Sequence, residues 1–119
     1  MELTGSVKKI ENDFIKFSMT AKRLKVKDGE YLPNSENFRV VVFDADNTVI
    51  FNSDYEKNFF QAIMDVEPKL TGDEKEYEYI WNVKNNFSKK VPPGNYTAIL
   101  SIPSLPDSYF LTVNFGIEN

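Results

Sequence analysis

Apolar and polar side chains alternate with a period of two in four separate stretches of this 119-residue chain. That period matches a β-strand with one buried face and does not match a helix. Ile15, Phe17, Met19 and Ala21 alternate with Lys16, Ser18 and Thr20. Tyr77, Tyr79 and Trp81 alternate with Glu76 and Glu78, and Tyr96, Ala98, Leu100 and Ile102 with Thr97, Ile99 and Ser101. Leu111, Val113, Phe115 and Ile117 form the last such series. Phe38–Phe43 is apolar on both sides except at Arg39, as a central strand is, and the short run Val49-Ile50-Phe51 follows it. Asp and Asn accept left-handed backbone, so Asp46-Asn47 predicts a tight hairpin between those two runs.

Residues 55–66 fit two patterns. Tyr55, Phe59, Ala62, Ile63 and Val66 make a helical stripe, whereas Phe60, Ala62, Met64 and Val66 make a strand face, and Pro68 ends either one. Turns are expected at Pro92-Pro93-Gly94 and between Pro103 and Pro106, since proline cannot donate to a central ladder. Six to eight short strands with turn signals every 8–12 residues predict one all-β domain over residues 1–119, an antiparallel sandwich or barrel.

The chain has no Cys and no His. This excludes disulfides, Cys/His zinc sites, a Cys nucleophile and a Ser-His-Asp triad. The net charge of −4 is local: residues 65–79 hold six acids against two lysines, and the remainder balances. An acidic chain without a basic patch is a poor nucleic-acid binder, because phosphate neutralisation supplies most of that affinity. No stretch approaches the roughly 18 apolar residues of a membrane span, and Met1–Gly5 lacks the start of a signal peptide. A complete chain of this kind is expected in the cytoplasm; a module excised from a longer bacterial protein is expected to be secreted or at the cell surface.

Two groups of acids invite three chemical readings. Val40–Phe43 followed by Asp44-Ala45-Asp46-Asn47-Thr48 looks like the nucleophile motif of haloacid-dehalogenase-type phosphatases, with one Asp phosphorylated and the next acting as acid and base. That family requires parallel strands with crossover helices, for which the period-two pattern leaves no place; a hairpin turn is the simpler reading. An EF-hand counted from Asp44 fails, because Val49 and Tyr55 occupy the required Gly and Glu positions. Glu74, Glu76 and Glu78 could supply a glycosidase pair, but they fit better as the solvated face of a strand. Tyr77, Tyr79 and Trp81 could form a sugar or base platform; the area each ring must bury favours core, with Trp81 as a plug between sheets. Pro93-Gly94-Asn95-Tyr96 resembles a tyrosine corner, in which a strand-initial Tyr bonds back to nearby backbone.

Taken in order, several segments resemble the BsuPI-type intracellular proteinase inhibitor family. They are Ile15-Lys16-Phe17-Ser18-Met19, Phe38–Asp44, Phe60-Gln61-Ala62-Ile63, Leu70-Thr71-Gly72-Asp73-Glu74, Tyr79-Ile80-Trp81 and Val91-Pro92-Pro93-Gly94-Asn95-Tyr96. The resemblance implies an immunoglobulin-like antiparallel β-sandwich, strand within residues 55–66, and inhibition of an intracellular subtilisin-like serine protease without cofactor, metal or catalysis. It also implies a large apolar residue for the protease's primary pocket. Three loops offer one: Tyr31-Leu32, Asn86-Phe87-Ser88 and Ser104-Leu105. Pro33 and Pro106 directly follow two of these leucines and fit a cleavage site poorly, so Asn86, Phe87 and Ser88 form the candidate contact loop. A purely structural role for Phe87 would place its ring back on the sandwich rim, shielding Trp81. The alternative function is that of a non-inhibitory immunoglobulin-like interaction or cell-surface module.

Overall fold

In the computed structural model, which describes residues 1–118, seven strands form two antiparallel sheets. The strands are β1 (Glu2–Ile10), β2 (Phe14–Lys22), β3 (Arg39–Phe43), β4 (Val49–Asn52), β5 (Glu74–Trp81), β6 (Gly94–Ile102) and β7 (Tyr109–Ile117). One sheet has the order β1-β2-β5 and the other β4-β3-β6-β7. This is an all-β sandwich, one of the two architectures that the alternation predicts. Adjacent hairpins build β1-β2, β3-β4 and β6-β7, whereas residues 23–38, 53–73 and 82–93 carry the chain from one sheet to the other. The β1–β2 hairpin turns through one 3-10 turn, Glu11–Asp13.

Each alternating series sends its apolar members inward. Ile15, Phe17, Met19 and Ala21 of β2 face Val40 and Val42 of β3 and Tyr96, Ala98, Leu100 and Ile102 of β6 within a single core. Burial of this kind is worth about 1.5–3 kcal/mol for each large apolar side chain and is the main drive for closing the two sheets. Trp81, 1% exposed, fills the centre. Its ring lies 5.4 Å from Phe51, 6.1 Å from Phe17 and 6.3 Å from Phe115, and its Nε1 donates to the Lys84 carbonyl at 2.9 Å. The expected plug is therefore also a tether for the loop that follows it.

The hairpin and the corner both form. Asp44 and Thr48 close the β3–β4 turn, with Asn47 left-handed at φ 63°. Tyr96, at the start of β6, donates its hydroxyl to the Pro92 carbonyl, the immunoglobulin-type corner. Residues 55–66 differ from both expectations. They hold neither a helix nor a strand, and their one ladder contact is an isolated bridge from Met64 to Leu32. The stretch belongs to the crossover between the sheets, where it has no strand on either side to extend a ladder.

Candidate functional site

Three connections meet where β2 ends and β7 begins: residues 23–38, 53–73 and 103–108. What holds them is Arg23, the first residue after β2 and only 1% exposed. Its Nη2 pairs with Glu30 Oε1 at 2.6 Å, its Nε donates to the Pro68 carbonyl at 2.8 Å, and its Nη1 reaches the Tyr109 hydroxyl at 3.4 Å. The Tyr109 hydroxyl in turn donates to the other Glu30 oxygen. One guanidinium thus ties its own loop to the second crossover and to the first residue of β7. The Arg23 backbone adds two more links, donating to Asp73 and accepting from Gly72, whose φ of +90° suits glycine. Among the described residues no buried side-chain nitrogen or oxygen lacks a partner, so this polar network is fully satisfied.

On this base lies a short irregular ribbon. Tyr31 and Leu105 exchange backbone hydrogen bonds at 3.0 and 2.8 Å, and so do Leu32 and Met64, at 2.8 and 3.0 Å. Further along, Ser35 donates its amide to the Phe60 carbonyl at 3.0 Å, and the Phe60 amide donates to Ser35 Oγ at 2.7 Å. Phe60–Met64 therefore runs antiparallel to Leu32–Ser35, fastened at both ends. The inner span takes three steps and the outer four, so the outer segment has one residue to spare and arches away. Pro33, which has no amide hydrogen, cannot fill the gap. Among the described residues, Gln61, Ala62 and Ile63 make no backbone hydrogen bond.

The arch is apolar yet in water. Phe60 is 81% exposed and Ile63 76%, with Met64, Tyr31 and Leu105 also presented to solvent. Clustered apolar exposure of this kind marks an interaction surface, where scattered single residues do not. Among the described residues no aromatic partner covers Phe60, and both anchors engage the arch through its own main-chain atoms, which leaves its side chains free.

The loop expected from sequence has a different form. Asn86 turns inward: its side-chain oxygen accepts from the Asn52 amide at 2.8 Å and its amide group donates to the Asn52 carbonyl at 3.1 Å, fastening the loop to the end of β4. Phe87 is 73% exposed; it does not lie on Trp81 but meets the Tyr55 ring edge-on at 6.1 Å. Ser88 is left-handed at φ 62°, and Asn85 Oδ1 accepts from the amides of Phe87 and Lys89, which winds the segment into a tight turn. Of the other two loops, Leu32 is buried in the core and Leu105 stands half-exposed beside Tyr31. Sequence reasoning missed Phe60–Met64, because its apolar residues read as a segment to be buried. The signal available was that no single periodicity accounted for all of them.

The acids take structural places. Asp44 Oδ1 accepts from the amides of Asp46 and Thr48, both at 2.9 Å, so the carboxylate shapes the hairpin turn. Its setting between two antiparallel strands is not the parallel α/β frame that phosphatase chemistry requires. Glu74, Glu76 and Glu78 lie on the solvent face of β5, with Glu78 3.4 Å from Lys16. On the opposite face of that strand Tyr77 is buried, and its hydroxyl donates to the Glu67 carbonyl at 2.8 Å. Burial, and then the nearby Glu67 carboxylate, push its pKa up to about 12. The folded state thus holds this proton more tightly than the unfolded state, so the associated stability is complete below pH ~10 and falls as pH rises toward ~12. Tyr77→Phe is expected to flatten that alkaline slope in urea titrations, by up to about 2 kcal/mol across the window.

Among the described residues no helix is long and apolar enough to cross a membrane. No known family model matches the chain, and no curated protein matches it either.

Proposed function

We propose that this protein is a non-catalytic, proteinase-inhibitor-like binding domain that lays the Phe60–Met64 arch into the cleft of a subtilisin-like serine protease. The observation that carries the reading is the arch itself: an exposed apolar segment fastened to Leu32 and Ser35 at its two ends. A protease cleft binds its substrate as extended backbone. A segment fastened at both ends loses less conformational freedom on docking than a free loop does, which favours tight binding. Fastening at both ends also keeps the two halves in place should a bond between them be cut. Phe60, Ile63 and Met64 each offer the large apolar side chain that the family resemblance implies, and no proline interrupts the segment. The turn at Phe87 presents a similar ring on backbone that does not match an extended cleft.

A second reading is favoured by Tyr31 and Leu105, which widen the apolar face beyond the width of one extended segment. A flat surface on a non-protease partner would cover all of it, as for an immunoglobulin-like interaction module.

The test is titration of subtilisin-like proteases with the folded protein and with a Phe60→Asp/Ile63→Asp variant. Inhibition by the parent, weakened at least about 100-fold in the variant with unchanged thermal unfolding, is the expected result. Phe87→Ala is expected to inhibit like the parent. A folded parent that inhibits none of the proteases, or a double variant that inhibits as well as the parent, removes the inhibitor reading and leaves the interaction module.

A further inference from the structure

The two sheets part along one side, between the edge strands β1 and β7. At Gly5 they nearly touch: a Cβ placed there would sit 2.6 Å from a Leu111 methyl. From that point a groove of about 980 Å³ opens toward the end of β7. Among the described residues each of these strands is paired on one side alone, and no ladder joins them. Both walls therefore carry backbone N–H and C=O groups without a strand partner. Val113, Phe115 and Ile117, the inward row of β7, are left half-buried along the floor.

The rim carries charge. Lys9, Lys84 and Lys90 line the groove, together with Asp13 and Glu118. Among the described residues, none of these three lysines lies within ion-pair distance of a carboxylate. Lys84 and Lys90 stand directly opposite each other in an isolated antiparallel bridge. Like charges in that relation oppose pairing. Lysines on an edge strand often serve to block association, and Lys9 of β1 fits that role. Lys84 and Lys90 are in the loop after β5, on no edge, so edge protection does not account for them.

We propose that this groove takes an extended segment of a partner protein, apolar at alternate positions and acidic at those between. Its backbone adds as a further strand to the free edge of β7. Its apolar side chains cover Val113, Phe115 and Ile117, and its carboxylates meet Lys9, Lys84 and Lys90. A polypeptide suits the groove better than a small molecule because only backbone supplies donors and acceptors at strand spacing. Residues 113–117 offer room for about five residues at ~3.3 Å each. The site is separate from the Phe60–Met64 arch and does not depend on the inhibitor reading.

An octapeptide of alternating valine and glutamate is the probe, with four glutamates followed by four valines as the comparison. Both are titrated into the intact protein while amide hydrogen exchange is followed by NMR. The alternating peptide is expected to bind saturably, to slow exchange at alternate amides of Val113–Ile117 at least tenfold, and to lose at least tenfold in affinity against Lys84→Glu/Lys90→Glu. These two positions are exposed, and unfolding curves verify that the variant remains folded. The proposal is overturned by no saturable binding up to about 1 mM, by equal binding of the block peptide, by undiminished binding to the variant, or by protection confined to other strands. Concentration-dependent dimerisation that protects the same amides without peptide would assign the groove to a second copy instead.

Discussion

Replacing Arg23 with alanine is expected to cost about 3–5 kcal/mol, the loss typical of removing one partner from a buried ion pair. The Glu30 side chain, 9% exposed, would lose its guanidinium partner and keep its hydrogen bond from the Tyr109 hydroxyl. The Pro68 carbonyl would lose its donor as well. Domains of this size have ~5–15 kcal/mol in total, so urea unfolding should show a large fall in midpoint. Arg23→Met combined with Glu30→Met should be less harmful than the sum of the two single changes, since no unpaired charge remains. Additive losses would show that the pair is not coupled. A second readout concerns the arch. If the guanidinium holds the crossovers together, Arg23→Ala should raise amide exchange at Leu32 and Met64 more than in the centre of β2.

Trp81→Ala should be about as damaging, again ~3–5 kcal/mol, through loss of a large buried ring and the cavity left behind. Phe17, Phe51 and Phe115 surround the indole and cannot all move inward together, because each belongs to a different strand. Trp81→Phe separates packing from tethering. It keeps most of the volume but removes the hydrogen bond to the Lys84 carbonyl. A moderate loss of stability is expected, together with faster exchange in residues 82–90. Circular dichroism is the measure in both cases, as the chain's sole Trp is the residue removed.

The strands were legible where one face is core and the other is water. β2, β5, β6 and β7 each show this in their side chains, and the hairpin between β3 and β4 is written in Asp46-Asn47. β1 is harder to read, since as an outer strand it buries little beyond Leu3 and Val7 and includes a glycine where β7 approaches. Residues 55–66 misled for the opposite reason. Periodicity assumes that apolar residues seek burial, and Phe60 and Ile63 do not. The anchors of that arch involve Ser35 and Leu32, more than twenty residues away, and no local pattern announces them. Arg23 was equally silent: its partners at positions 30, 68 and 109 come from two separate connections and the start of β7.

The fastening of Phe60 and Met64 uses their main-chain atoms, not their side chains. Nothing in the sandwich therefore dictates which residues occupy positions 61 to 63. A scaffold arranged in this way can be retargeted by exchanging a tripeptide, with its thermal endurance untouched, and a library varied at those three positions is the natural place to select new specificities.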